Sequence, residues 1–124
     1  MLKNKTMIMV APLFLIMGNH AMAEEEAAAA SVERGAEVFD NCSVCHGDYA
    51  EVGEDYGAPK LAGQLDWYLM RQLRNFRAEF RGTKEGDEFG PVMQPMAADL
   101  SDQEIEDVVA YIETLDSNYE PDAE

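Results

Sequence analysis

The segment Cys42-Ser43-Val44-Cys45-His46 holds the residues best suited to chemistry in this sequence. Two thiols separated by two residues at the end of a helix can reach the two vinyl groups of a haem. The adjacent histidine then lies where its imidazole can bind the iron. The segment therefore favours one covalently attached haem c, with Cys42 and Cys45 as thioether residues and His46 as an iron ligand.

Three other sites share the spacing of these cysteines and remain alternatives. A dithiol redox motif is expected among alternating strands and helices, and no such alternation is visible in the sequence. A disulfide is compatible with an exported protein. Half of a zinc site is also possible by spacing, but the second half of such a site has no counterpart in the sequence.

Two methionines downstream of the motif, Met93 and Met96, are candidates for the second axial ligand of the iron. A thioether sulfur is a soft, neutral donor that favours ferrous iron, so ligation by histidine and methionine raises the reduction potential. Spacing alone does not choose between the two. A third methionine, Met70, lies among apolar residues of a predicted helix and is interpreted as part of the core.

The first 23 residues have the pattern of a secretory signal peptide. Lys3 and Lys5 form a positive start, an apolar run extends over Met7–Met17, and an Ala-Met-Ala sequence provides a cleavage site. The apolar run is shorter than the roughly twenty residues that a membrane-spanning helix needs, so we expect export without stable membrane insertion. Cleavage would remove His20 and leave His46 as the only histidine of the mature chain.

The composition is strongly acidic, with 25 Asp and Glu side chains against nine Lys and Arg in 124 residues and a net charge of −16. Cleavage removes two lysines and no acids, so the mature charge falls from −16 to −18. Such a charge repels nucleic acids and anionic membranes, which excludes unaided binding to either. The acids either steer the protein toward a basic partner or keep an exported surface hydrated in a saline or alkaline habitat. Their scatter along the chain favours habitat.

The length allows one domain, predicted over residues 32–116 between a flexible acidic and alanine-rich leader at 24–31 and an acidic tail at 117–124. Apolar residues at helical spacing behind the candidate N-cap Ser31 predict a first helix that ends near Val44. Glycines mark a loop over Gly47–Gly63. The longest periodic segment, Leu65–Arg81, predicts a second helix. Its expected buried stripe consists of Leu69, Leu73, Phe76 and Phe80.

The rest of the domain predicts a charged loop over Gly82–Gly90, an irregular PVMQPM segment and a final helix. The two prolines of PVMQPM are expected to prevent a regular helix. Ser101 and Glu104 form a capping box ahead of an apolar stripe, which marks the start of the final helix. No segment alternates with the period of two that a strand requires. The sequence therefore predicts an all-α domain of about four helices around one haem.

Four arginines on the second predicted helix supply most of the positive charge of the mature chain: Arg71, Arg74, Arg77 and Arg81. Their spacing places them along one side of the helix. They either pair with haem propionates, form a docking site, or belong to a solvated face neutralised by nearby acids, which is the simpler interpretation. Trp67 and Tyr68 are expected to pack in the core, with the haem crevice as the alternative.

Over residues 35–115 the sequence resembles a class I bacterial cytochrome c, and most closely the periplasmic group with single-haem and tandem two-haem members. The matching segments, in order, are a helix with Gly35 and Phe39, CSVCHG, PKLAGQ, YLMRQLRNFRAEFR, PVMQPMA and LSDQEIEDVVAYI. The resemblance implies the cytochrome c fold and a periplasmic location. It also implies that Met93 is the iron ligand, and that the backbone carbonyl of Pro59 accepts the Nδ1 proton of the ligating histidine.

The same resemblance implies that Gly35, Phe39 and Tyr111 pack where the first and last helices cross. Iron with both axial positions filled by the protein has no open site for a substrate, so we expect transfer of single electrons between redox proteins, and not catalysis. Two alternatives remain. The first is a dedicated haem subunit of a periplasmic oxidoreductase complex, for example one that oxidises sulfur compounds. The second is a ligand-binding haem sensor.

Overall fold

The computed structural model describes residues 28–51, 57–115 and 117. Within them lie four helices, α1 (Val32–His46), α2 (Asp66–Arg77), α3 (Gly90–Ala98) and α4 (Asp102–Ile112), and no strand. The predicted all-α class is confirmed. In this part of the chain, no helix has both the length and the apolar composition needed to cross a bilayer. The predicted signal peptide, the first four residues of the leader and residues 118–124 of the tail lie outside the described residues.

Helices α1 and α4 begin at the caps that the sequence predicts. The Ser31 hydroxyl accepts a hydrogen bond from the Arg34 backbone N–H at 3.3 Å. Ser101 and Glu104 form the full capping box, with the Ser101 N–H donating to the Glu104 carboxylate at 2.8 Å and the Glu104 N–H donating to the Ser101 hydroxyl at 3.2 Å. These bonds satisfy backbone donors that a helix start otherwise leaves without partners.

The crossing of α1 and α4 depends on a glycine. A Cβ atom on Gly35 would lie 2.6 Å from the Asp107 carbonyl carbon and 2.9 Å from the Tyr111 Cβ, so no larger residue fits without displacing backbone. Beside this contact the rings of Phe39 and Tyr111 pack with their centroids 5.3 Å apart. The expected crossing is confirmed. The core around it consists of Phe39, Ala50, Ala62, Leu69, Val108, Val109 and Ile112.

Asp107 is a buried carboxylate that ties the start of α1 to α4. The residue is 1% exposed, and its carboxylate accepts hydrogen bonds from Arg34 Nε at 2.6 Å, the Ser31 N–H at 2.8 Å and the Gln103 amide at 3.0 Å. The hydrogen bond with the Arg34 guanidinium is the main reason that the pKa of Asp107 falls to about 2. Arg34 also donates to the Ala29 carbonyl at 2.9 Å. Both ends of residues 29–31, in the predicted leader, are therefore hydrogen-bonded to the domain.

Helix α2 ends four residues before the predicted Arg81, and the prediction that Phe80 lies on its buried stripe is wrong. The Glu79 N–H donates to the Phe76 carbonyl and the Phe80 N–H donates to the Asn75 carbonyl, while Glu79 adopts a φ of 61°. This is a Schellman ending, usually marked by glycine at the left-handed position. The turn directs Phe80 outward, where it is 81% exposed.

Helix α3 corrects the prediction of an irregular PVMQPM segment. Pro91 lies in the first turn, where the missing N–H has no intrahelical partner to lose. Pro95 lies inside the helix, but a helix of nine residues loses a single bond there. The segment therefore remains helical despite both prolines, and α3 packs against α2.

The arginines of α2 differ in their partners. Arg77 forms an ion pair with Asp102 at 2.6 Å, and Arg74 lies 3.4 Å from Glu106. Acids of α4 thus neutralise these two, as expected for a solvated face. Arg71 instead lies 4.9 Å from the ring centroid of Trp67. Trp67 is 51% exposed, so the prediction that it packs in the core is wrong.

Candidate haem-binding site

The predicted cysteines and histidine occupy the last five residues of α1. The helix continues two residues beyond the predicted Val44 and ends at His46, with Gly47 at the cap in the left-handed region at a φ of 79°. Because residues three and four apart share a helix face, Cys42 lies on the same side as Cys45 and His46. The local helix thus brings both thiols and the imidazole to one surface.

Both cysteines are free and partly buried. Burial is the main reason that the pKa of Cys42 rises to about 11, with the neighbouring Cys45 thiol second. Cys42 is therefore a protonated thiol at neutral pH, whereas the reactive cysteine of a dithiol redox motif has a lowered pKa. Among the described residues no three His, Cys, Asp or Glu side chains gather as a metal site, so the second half of a zinc site is missing there.

His46 is held in one orientation by the loop that follows α1. Its ring is 6% exposed, and Nδ1 lies 2.9 Å from the Pro59 carbonyl oxygen. A carbonyl can only accept, so Nδ1 carries the proton and Nε2 keeps a free lone pair. Burial lowers the pKa of His46, against the opposing effect of the Pro59 bond. The neutral imidazole with a free Nε2 is the form that binds a metal.

Ala50 closes the loop that positions Pro59. Its N–H donates to the Gly47 carbonyl at 3.1 Å, and its own carbonyl accepts from Leu61 at 2.9 Å and from Ala62 at 3.0 Å. Ala50 is fully buried with a φ of 54°. These bonds hold the Pro59 segment beneath the end of α1. Nothing in the sequence marks Ala50 for this role, because glycine or asparagine is the usual residue at a positive φ.

The candidate methionine ligands lie on a separate helix. Met93 is partly buried in α3, whereas Met96 is 47% exposed. Met70, on α2, packs against the core as the sequence predicts. The structure thus brings Cys42, Cys45 and His46 together with Pro59, and it places both candidate methionines on α3.

The residues around the site fit a large apolar group with a metal at its centre. Four apolar side chains remain exposed on the last turn of α1, at the N-cap of α3 and within α3: Val44, Phe89, Val92 and Met96. An exposed apolar residue such as Val44, directly beside convergent donors, is typical of a binding surface. Two free thiols and a neutral imidazole are the groups that thioether formation and iron ligation use. The donor set and the surface therefore agree with haem.

A separate cavity of about 320 Å³ lies between α2 and α4 and contains none of these donors. Its walls include Met70 and Val109, with the carboxylates of Asp66, Glu106 and Glu113 among its lining residues.

A family model and several known proteins are similar to the chain. The family model described as cytochrome c matches residues 32–116. The thiosulfate dehydrogenase electron acceptor of Stutzerimonas stutzeri is 39% identical over 74 residues, 60% of this chain and 31% of that protein. Cytochrome c-554(548) of Halomonas halodenitrificans is 33% identical over 84 residues, 67% of this chain and 94% of that protein.

A solved structure is also similar. The crystal structure of reduced recombinant cytochrome c4 from Pseudomonas stutzeri matches with a TM-score of 0.57 and 33% identity, over 72% of this chain and 53% of that chain. The chain thus spans about half of that protein and less than half of the curated cytochrome c4 of Azotobacter vinelandii, of which it covers 42%.

Proposed function

The chain belongs to the cytochrome c family and has its four-helix fold, and from this premise we propose that it carries single electrons through one covalently attached haem. The observation that supports the proposal most directly is the end of α1, where two free thiols and an oriented imidazole share one face. When bound, haem supplies a one-electron couple between ferric and ferrous iron.

Each residue of the site has a defined role in this proposal. Cys42 and Cys45 form thioethers, in which each sulfur bonds to a vinyl carbon and the thiol hydrogen goes to the other carbon of that vinyl group. Nε2 of His46 binds iron, and the Pro59 carbonyl holds the ring orientation and makes the imidazole a better donor.

Met93 supplies the second axial sulfur, with Met96 as the alternative. The lower exposure of Met93 supports this choice, since a thioether that binds iron leaves solvent. Ligation by His46 and Met93 would leave the iron without a vacancy for a substrate. The protein is therefore an electron carrier without enzymatic activity of its own.

The proposed location is the periplasm, reached through the signal peptide at residues 1–23. The mature protein is expected to begin at Glu24, which N-terminal sequencing of protein from the periplasmic fraction tests. A mature protein that retains residue 1 would contradict export by cleavage.

The partners are other redox proteins, either periplasmic or membrane-bound. Similarity to a thiosulfate dehydrogenase electron acceptor favours a second candidate function, as the dedicated haem subunit of a sulfur-oxidising complex. Stoichiometric co-purification with a larger chain supports that candidate. The acid excess is tested by the salt dependence of electron transfer. If the acids steer the protein toward a basic partner, the electron-transfer rate falls as salt is added. If they reflect a saline or alkaline habitat, the rate does not change with salt.

The decisive experiment is spectroscopy of the exported protein and of four variants. Cys42→Ser and Cys45→Ser are expected to lower the haem retained after denaturation, because each removes one thioether. Met93→Leu is expected to abolish the weak far-red band of a sulfur–iron bond in the ferric protein, while the matched Met96→Leu keeps it. Loss of the band in Met96→Leu alone would reassign the ligand.

Carbon monoxide tests the sensor alternative in the same preparations. Native reduced protein is expected not to bind the gas at neutral pH, since Met93 occupies the position that the gas needs. Binding without denaturant would support a sensor and contradict the carrier.

A further inference from the structure

The start of α3 is capped from outside the helix. The N-cap residue, Phe89, has no side-chain acceptor, and Pro91 has no N–H. The backbone N–H groups of Val92 and Met93 donate to the Phe89 carbonyl at 3.1 and 3.3 Å. The remaining donor of the first turn, the Gly90 N–H, donates to the Asp87 carboxylate at 2.7 Å. Asp87 therefore completes the hydrogen bonding of this turn.

Gly90 is confined on both sides. A Cβ atom on Gly90 would collide with the Asp87 carboxylate, whose Cγ would be 2.6 Å away. On the other side, a Cβ atom on Gly82 would lie 2.6 Å from the Gly90 carbonyl oxygen and 3.3 Å from the Phe76 ring. Gly82 has a φ of 87°, which favours glycine. The first turn of α3 is thus packed between the Asp87 carboxylate and the chain that leaves α2.

Phe89 connects the first turn of α3 to the loop that carries Pro59. A Cβ atom on Gly57 would lie 2.6 Å from the tip of the Phe89 ring, so the ring packs directly on the Gly57 backbone. Gly57 is two residues before Pro59. The segment that Asp87 anchors is therefore in contact with the loop that orients His46.

From these contacts we propose that Asp87 is a positioning residue for the axial methionine. This inference rests on the proposed role of Met93 as an iron ligand. Gly90 lies three residues before Met93, within one helical turn, so the hydrogen bond that its N–H donates to Asp87 fixes the turn from which the methionine side chain projects. A negative charge at a helix start is also favourable to the helix dipole. Loss of the Asp87 acceptor loosens this turn and weakens the hold of the thioether on iron.

Imidazole binding to the ferric holoprotein measures that hold, because imidazole must displace the methionine. Asp87→Ala is expected to bind imidazole about tenfold more tightly than the wild type. The reason is that the free-energy cost of an unpaired N–H is roughly equal to that of a tenfold change in affinity. Asp87→Asn keeps an acceptor oxygen in place and is expected to stay within about twofold. The far-red band at zero imidazole is expected to weaken in Asp87→Ala and persist in Asp87→Asn.

Glu88→Ala is the matched control, because it removes one exposed carboxylate from the same loop and is expected to leave imidazole affinity unchanged. Gly90→Ala disrupts the same contact, because the added Cβ displaces the Asp87 carboxylate. It replaces Asp87→Ala in the test if Asp87→Ala does not retain haem. Equal imidazole affinity in the wild type, Asp87→Ala and Gly90→Ala would overturn the positioning role. Equal tightening in Glu88→Ala would assign the effect to charge alone and also overturn it. A wild type without the far-red band would instead reject methionine ligation itself.

Discussion

The crossing of α1 with α4 and the seating of α3 on α2 are built in opposite ways. At the crossing, backbone meets backbone at Gly35 and aromatic rings of the chain fill the space beside it. Helix α4 buries five of its eleven residues, one of them the fully hydrogen-bonded Asp107. Helix α3 buries only Gly90 and Ala97, and it exposes Val92 and Met96.

This difference distinguishes the part of the domain that is packed by protein side chains alone from the part that leaves apolar side chains exposed. The crossing has its apolar contacts, its caps and its buried charge supplied by residues of the chain. Helix α3 is anchored at its first turn, and two of its apolar side chains, Val92 and Met96, are exposed, as expected of a wall of a cofactor site. Under the proposed function, a bound haem would add apolar contact area where α3 exposes Val92 and Met96.

Placing a side chain at Gly35, where α1 crosses α4, is expected to have the largest effect on stability. Gly35→Val places three carbons against the Asp107 backbone, which cannot move without displacing α4. We expect a loss of about 5 kcal/mol or more, comparable to the whole stability of a small domain. Urea unfolding followed by circular dichroism measures it. Glu37→Val, an exposed position on the same helix, is the control, and equal unfolding midpoints for the two variants would show that close approach at Gly35 does not hold the crossing.

Truncation of two phenylalanines tests how α2 meets the rest of the domain. Phe76 is buried and packs near Gly82, whereas Phe80 is 81% exposed beyond the end of α2. Phe76→Ala is expected to cost about 3 kcal/mol, and Phe80→Ala less than about 0.5 kcal/mol. Free energies of unfolding from urea titrations give both values. A loss of similar size in the two variants would mean that Phe80 is buried on the α2 stripe after all.

The outcome for these two residues illustrates what the sequence could predict. The caps at Ser31 and Ser101 depend on side chains within three residues of the atoms they satisfy, so the local pattern identified them. The sequence did not predict the end of α2, because Glu79 occupies the left-handed position at which glycine usually marks the end of a helix. Periodicity alone extended the helix and assigned Phe80 to the wrong face.

Long-range contacts account for the other differences. Asp107 depends on Arg34, 73 residues earlier, and nothing local marks it as buried. The helical PVMQPM segment is the exception, because its cause is local: Pro91 lies in the first turn of α3 and Pro95 removes a single backbone hydrogen bond. At the site, the spacing of CSVCH predicted the thiols and the imidazole, whereas Ala50 acts through hydrogen bonds with Leu61 and Ala62 that no local pattern indicates.

Removing the charge of Asp107 is expected to have an intermediate effect that depends on pH. The folded pKa, about 2, lies below the usual value of 3.8, so the carboxylate stabilises the fold fully above about pH 4. That stabilisation is lost as pH falls from about 4 toward 2. Asp107→Asn is expected to cost about 2 kcal/mol at pH 7 and progressively less at lower pH, because the wild type loses the same contribution there.

Urea midpoints at pH 7, 4 and 2.5 measure this convergence. Asp40→Asn, which removes an exposed carboxylate from α1, is expected to follow the wild type at each pH. A gap between Asp107→Asn and the wild type that stays constant across this range would contradict the role of the charge. In that case the loss would come from packing of the asparagine side chain.

The smallest expected effect concerns the cap of α4. It distinguishes Ser101, which caps a helix of the α1–α4 crossing, from Asp87, which is proposed to position Met93. Ser101→Ala removes the hydroxyl that caps α4 and is expected to cost about 1 kcal/mol, while Ser101→Thr keeps an acceptor and costs less. Because α4 belongs to the crossing, Ser101→Ala is expected to lower the urea midpoint without changing imidazole affinity, whereas Asp87→Ala changes that affinity. Tighter imidazole binding in Ser101→Ala would show that general loosening of the fold releases the methionine, and the two halves of the domain would then not be separable.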